Sequence, residues 1–152
     1  MNSVAVKWEV VPFQALEVRR FHDILRLRVD VFVVEQDCPY PELDGHDPTA
    51  LHVMGSSPDG RVIAYARILR PRESGLPAIG RVVVEMEQRG RGLGRELMER
   101  CLRALEEHFG SRRSILSAQA HLRSFYEGLG YVAVSDIYPL DDIPHIDMRL
   151  SE

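Results

Sequence analysis

AIGRVVVEMEQRGRGLGRELMERCLRALEEH, residues 78–108, changes character twice. It opens on AIGRVVVE (78–85), a short apolar run with the length and β-branched content of a buried strand. It closes on Leu93, Leu97, Cys101, Leu102 and Leu105, whose spacing predicts a helix over 93–108 with these residues as its core stripe. Between the two lie Gly90, Gly92 and Gly94, set among Arg89, Arg91 and Arg95. The first turn of a helix leaves backbone N–H groups unpaired, and the helix dipole adds positive potential where they converge. Glycines let that backbone approach an anion closely, and arginines add forked donors. The stretch therefore reads as a cradle for a diphosphate.

The rest of the chain arranges itself around this unit. SILSA (114–118) follows as a short buried strand, so strand, helix and strand predict a right-handed parallel crossover. Upstream, LHVMG (51–55), the turn SSPDG with Asp59-Gly60 at its tip, and RVIAYARIL (61–69) predict an antiparallel meander that runs into 78–84. Val4 to Val10 alternates as a first strand, stopped near Pro12. Gln14 to Val34 has helical period, with Phe21, Ile24, Leu25, Arg28 and Phe32 on one face, and Arg28 there reads as a snorkelling side chain. EQDCPYPELDGHDPTA (35–50) is an irregular loop long enough to raise the question of function. His121 to Leu129 is helical with Gly130 as its C-terminal glycine; YVAVS and IDMRL are closing strands joined by DIYPLDDIPH. No linker or repeat divides the chain. The expectation is one α/β (α+β) domain over residues 1–152, a mixed, mostly antiparallel sheet flanked by helices.

Bulk properties narrow the function. The 152 residues are 45% hydrophobic and carry a net charge of −4, which disfavours nucleic-acid binding by bulk electrostatics. The N-terminus lacks a basic segment followed by an apolar one, and no apolar run approaches the roughly 18 residues of a membrane span. A cytoplasmic protein is expected, binding neither membrane nor nucleic acid. Cys101 falls on the helical stripe and Cys38 in the loop, and nothing in their spacing demands a disulfide.

The glycines do not match a Walker loop, which needs G-x-x-x-x-G-K-[ST], and they lack the third glycine of a dinucleotide fingerprint. Arg89-x-x-Gly92-x-Gly94 instead resembles the R/Q-x-x-G-x-G/A motif of the GNAT superfamily of acyl-CoA-dependent N-acetyltransferases. FYEGLGY (125–131) looks like the segment in which that family places a tyrosine facing the acyl-CoA sulfur. LRVDVFVVEQDCPYPELDGHD, IGRVVV, SAQAHLRSFYEGLGY and DIPHIDM together look like the ElaA-type branch, over roughly residues 7 to 149.

The resemblance implies transfer of an acetyl group from acetyl-CoA to a primary amine. It implies that Val82, Val83 and Val84 pair with the pantetheine arm through their backbone. Arg89, Gly90, Arg91, Gly92, Leu93, Gly94 and Arg95 would take the pyrophosphate, and an N–H near Val83 or Val84 would meet the oxyanion. Tyr126 is the implied proton donor to the leaving thiolate. An amine of pKa about 10.4 is neutral in only about one molecule in two thousand at pH 7, so a base is needed; Glu35, Glu85 and Asp44 are the candidates. Gln36, Tyr40, Asp44, Gln119 and His145 are candidate substrate contacts. Glu42, Asp44, Asp47, Asp136, Asp141 and Asp142 form an acidic rim suited to a cationic small-molecule or peptide amine. A homodimer is a family-level expectation, and the chemistry calls for no metal.

Three other readings use the same letters. Asp142, His145 and Asp147, or Asp44, His46 and Asp47, are metal-ligand types without a metal motif. RGRGLGR is a short basic patch of the kind that contacts nucleic acid. An acyl-CoA-binding sensor would share the fold and transfer nothing.

Overall fold

The computed structural model describes residues 5–73 and 75–151. In chain order these form β1 (Lys7–Pro12), α1 (Val18–Arg28), β2 (Leu51–Ser56), β3 (Val62–Leu69), β4 (Ala78–Val84), α2 (Leu93–Phe109), β5 (Ser114–Gln119), α3 (Arg123–Glu127), β6 (Val132–Ala133), β7 (Tyr138–Leu140) and β8 (Ile143–Leu150). The strands join one sheet in the order β1-β2-β3-β4-β5-β8-β6, with β7 paired to β8. All neighbours are antiparallel except β4 and β5. The mixed, mostly antiparallel sheet is the expected one, with helices on both faces. No helix among the described residues is long and apolar enough to cross a membrane.

Two cores sit on opposite faces. Leu97, Met98, Cys101 and Leu105 of α2 pack with Tyr126 against Ala64, Ala66, Ile79, Leu116, Ala118, Ile146 and Met148. Ile24, Leu27 and Val31 pack on Met54, Tyr65 and Val83. Cys101 is wholly buried, which pushes its thiol up to about 12 and makes it an inert core residue. Both cysteines are free thiols.

Several local expectations are corrected. The first strand does stop at Pro12, opposite Leu51, as expected; β1 is an edge strand, where a missing N–H costs no ladder bond. Val4 lies outside the described residues. The long first helix is instead a 3-10 turn at Phe13–Ala15, then α1, then a π-helical segment Val29–Glu35. There the N–H groups of Gln36 and Cys38 donate to Val31 and Val33 oxygens, at 3.2 and 3.0 Å. The inward face is Ile24, Leu27, Arg28 and Val31, at ordinary helical spacing, while Leu25 and Phe32 are only half-buried. The helix expected over 121–129 is only a 3-10 turn, Ala120–Leu122, followed by α3, and Gly130 takes φ 102° beyond its end. DIYPLDDIPH is not a plain connection. It folds β7 onto β8 through Asp141 and Asp142, both at positive φ as a tight hairpin turn requires.

Arg28 does not snorkel. It is fully buried, with Nε 2.5 Å from Glu42 Oε2 and Nη1 2.9 Å from Asp47 Oδ1. Arg67 reaches Asp47 at 3.0 Å and also holds Asp44, while Arg81 reaches Glu42 at 2.8 Å. This buried lattice of charges ties the 36–47 loop to the sheet. His52 completes it, with Nε2 3.0 Å from the Asp47 carbonyl and Nδ1 2.6 Å from the Tyr65 hydroxyl. A carbonyl only accepts, so the neutral Nε2–H ring suits both contacts.

Burial holds the His52 imidazole below its ordinary pKa. The unfolded chain therefore binds the extra proton first, and stability is lost as pH falls below about 6.5. Burial raises Asp47, but Arg28 and then Arg67 outweigh it and leave its carboxyl below the usual range. Its contribution is present above a pH of about 4 and is lost as pH falls through the folded-state value. Urea midpoints are expected to decline from neutral pH to mildly acidic pH, and His52→Gln to flatten that decline. An unchanged slope in the variant would remove His52 from the account.

Candidate active site

β4 and β5 run parallel but share a single registered pair, Ala78↔Ile115, backed by the Ile115 N–H bond to Pro77 O at 3.0 Å. Beyond it they part, and a cleft of about 1270 Å³ opens between them. A bulge shapes the β4 wall. Tyr65 faces Val83 and Arg67 faces Gly80, so one extra residue sits on β4. Arg81 in the bulge takes φ 53°, a strained backbone for a side chain, and Glu42 anchors its guanidinium. Past the bulge, Val82 and Val84 turn towards the α2 core and Val83 towards α1.

The glycine-rich loop closes one end. Gly90 and Gly92 have φ of 81° and 79°, and a Cβ at either would meet nothing within 4 Å. The N–H groups of residues 90–95 donate to no acceptor among the described residues; the helical ladder begins only with Glu96 N–H on Gly92 O, at 3.1 Å. Unpaired donors at the N-terminus of a 17-residue helix form an anion cradle. These groups fit a diphosphate, and the empty space where Cβ atoms would sit leaves room for its oxygens.

Of the sequence-predicted cofactor residues, Val82, Val83, Val84, Arg89, Gly90, Gly92, Leu93 and Gly94 line the cleft, and Arg91 and Arg95 do not. Arg89 is turned inward: Nε donates to Val84 O at 3.0 Å, and the two Nη atoms meet Glu35 at 2.7 and 3.0 Å. Arg91 Nη1 donates to Gln88 Oε1 at 3.4 Å.

The candidate bases separate. Glu35 lines the cleft but is held by Arg89. Glu85 stands outside it, paired with Arg61 Nε and Nη2 at 3.0 and 2.9 Å. Its carboxylate is held by Arg61 on the neighbouring strand side. Asp44 stands outside the cleft lining and joins the charge lattice through Arg67 and Arg81. Gln36, Tyr40, Gln119 and His145 do line the cleft, and Gln119 Nε2 donates to Gln36 Oε1 at 3.2 Å, linking β5 to the loop.

Tyr126 lines the same cleft from the α2 side. Its ring lies edge-on to Phe125 at 5.0 Å and Tyr131 at 6.2 Å. Its hydroxyl has no hydrogen-bond partner among the described residues, and burial drives its pKa upward, keeping it protonated.

Sequence reasoning missed the polar wall opposite Tyr126. Ser117 Oγ is 2.5 Å from Tyr138 OH, which donates to Asp147 Oδ1 at 2.5 Å. Ser117 and Asp147 line the cleft. The alternation of His145 and Asp147 with buried Ile146 and Met148 was the available signal, but only the β7 hairpin brings Tyr138 to them.

A sheet split between two parallel strands, with a phosphate-type cradle on the helix that joins them, defines an acyl-CoA-dependent acyltransferase fold. The chain belongs to the acetyltransferase (GNAT) domain family, whose model matches residues 28–152. It is 40% identical over 146 residues to protein ElaA of Escherichia coli strain K12, covering 94% of this chain and 95% of that one. Its fold matches the crystal structure of an acyl-CoA N-acyltransferase from Pseudomonas aeruginosa with a TM-score of 0.92, 45% identity and coverage of 97% and 100%. E. coli ElaA superposes at a TM-score of 0.89 with 38% identity, over 97% of this chain and all of that one.

Proposed function

We propose that this protein is an N-acetyltransferase that moves an acetyl group from acetyl-CoA to a primary amine on a small molecule or peptide, in the cytoplasm. The observation that carries the reading is the cleft itself: N–H donors of residues 90–95 without acceptors among the described residues at one end, the β4 edge that parts from β5, and Tyr126 in its lining. The loop amides suit the pyrophosphate, and the backbone of Val82 to Val84, which no strand pairs on the cleft side, suits the amides of pantetheine, with Arg89 already on the Val84 carbonyl. A backbone N–H near Val83 or Val84 stabilises the developing oxyanion. Tyr126, kept protonated by burial and without a hydrogen-bond partner among the described residues, donates to the sulfur as charge gathers on it. No group of three or more His, Cys, Asp or Glu among the described residues is placed to hold a metal ion, and none of these steps calls for one.

The test is thermal unfolding with saturating acetyl-CoA. At about 100 times its dissociation constant a ligand adds about 2.7 kcal/mol, a rise of about 5–10 °C in a domain of this size. Free coenzyme A should reproduce the rise, and NAD and ATP should not. No shift with acetyl-CoA would end the transferase reading.

A further inference from the structure

We propose that His145 is the general base of this reaction, taking the proton of the acceptor ammonium at Nε2. The inference rests on the acyltransferase reading above and names the group that reading leaves open.

The ring's hydrogen bond sets its tautomer. His145 Nδ1 lies 2.7 Å from the carbonyl oxygen of Ile143. A carbonyl cannot donate, so Nδ1 carries the hydrogen and Nε2 of the neutral ring holds a lone pair. Nε2 has no partner among the described residues, and the ring lines the cleft. A base needs a free lone pair at the cleft, and here the ring lines the cleft with Nε2 unengaged among the described residues.

Strand register aims it. His145 lies opposite Gln119 of β5 and Tyr138 of β7, and residues directly opposite share a face. Its neighbour Ile146 is buried in the core that also holds Tyr126. His145 therefore reaches the cleft from one face of the sheet and Tyr126 from the other, so base and acid flank the space between β4 and β5. The carboxylates that would compete are engaged: Glu35 by Arg89, Glu85 by Arg61 and Asp44 by Arg67. Other titratable groups face this ring from each neighbouring element. Tyr138 on β7 has its ring 6.4 Å away, Asp141 lies in the hairpin turn, and Asp147 is on the same strand. Tyr40 and Cys38 come from the loop opposite, and His121 follows β5. Tyr138 is bonded to Asp147, and Cys38 Sγ to Asp141 O at 3.4 Å.

The protons balance. His145 Nε2 takes one hydrogen from the ammonium, and the freed pair forms the C–N bond to the thioester carbonyl carbon. The C–S bond breaks with its pair going to sulfur. A second hydrogen from nitrogen ends on sulfur by way of Tyr126, the third stays on the amide, and the imidazolium returns its proton to water. The sum is amide, thiol and one proton from ammonium and thioester.

His145→Asn tests this, because an Asn amide can still donate to Ile143 O while Nε2 is gone. Thiol release from acetyl-CoA would be followed from about pH 5 to about pH 9 with propylamine, lysine amide and spermidine as acceptors. The variant should lose on the order of 100-fold in kcat/KM at neutral pH and lose the acid limb of its profile, while keeping the acetyl-CoA-induced rise in Tm. Activity within about threefold of the parent, or an unmoved acid limb, overturns the proposal. So does loss of the Tm rise in the variant alone, which would make His145 a support for cofactor binding. A parent protein that acetyl-CoA does not stabilise would fail the transferase reading instead. Long-range 1H–15N spectra of the parent give a readout independent of any acceptor: a hydrogen on Nδ1 is expected, and one on Nε2 in the neutral ring overturns the assignment.

Discussion

Replacing Arg28 by Met is expected to cost about 3–5 kcal/mol of stability, enough to lower Tm by about 10 °C or more. The methionine stem fills much of the same space, so the loss comes from charge and not from a cavity. Arg28 satisfies Glu42 at both its carboxylate and its backbone carbonyl, at 2.5 and 3.3 Å, and Asp47 at 2.9 Å. Its guanidinium also lies 5.6 Å from the Tyr65 ring centre. Without it, the buried Glu42 carboxylate is left with Arg81 and the Tyr40 hydroxyl, and Asp47 with Arg67. The double variant Arg28→Met with Glu42→Gln should lose less than Arg28→Met alone, because one orphaned charge has gone. Urea unfolding measures both. A loss under about 1 kcal/mol for Arg28→Met would mean that the lattice re-forms around the gap. The site feels this as well, since the loop so anchored carries Gln36 and Tyr40 to the cleft wall.

Tyr126→Phe is expected to lower kcat by about 100-fold while leaving the acetyl-CoA-induced rise in Tm unchanged. The phenyl ring keeps its edge contacts with Phe125 and Tyr131. The lost hydroxyl strands no partner among the described residues, so folding should not register the change. Stopped assays of thiol release on parent and variant separate the two effects. Full turnover in the variant would remove Tyr126 from the chemistry and favour direct protonation of the thiolate by solvent. A protein that senses acyl-CoA would bind it equally in both forms and turn over in neither.

Much of this molecule was legible before any coordinates. The run 78–84, the glycines at 90, 92 and 94 and the α2 stripe each state a local rule, and the fold obeys all of them. The hairpin at Asp59-Gly60 was equally plain, with Gly60 at φ 87° and the Asp59 carboxylate accepting the Arg61 N–H. The acidic letters were read less well. Glu42, Asp44 and Asp47 look like a solvated rim in sequence, yet Glu42 and Asp47 are buried and all three are ion-paired. Their partners lie on α1, β3 and β4, between 14 and 39 residues away, and no pattern in one segment reveals a partner in another.

By itself, then, the sequence determined the order of elements around the β4–α2 unit, the α2 core stripe and the glycine turn that opens that helix, because each follows from spacing within a few turns of chain. Tertiary structure alone decided which polar groups are free to act. It folded Arg89 onto Glu35, turned Glu85 towards Arg61, widened the end of the first helix into π turns and brought β7 against β8. Whether a carboxylate or an imidazole can take a proton depends on what lies within about 3 Å of it. That neighbour is chosen by how strands and helices pack.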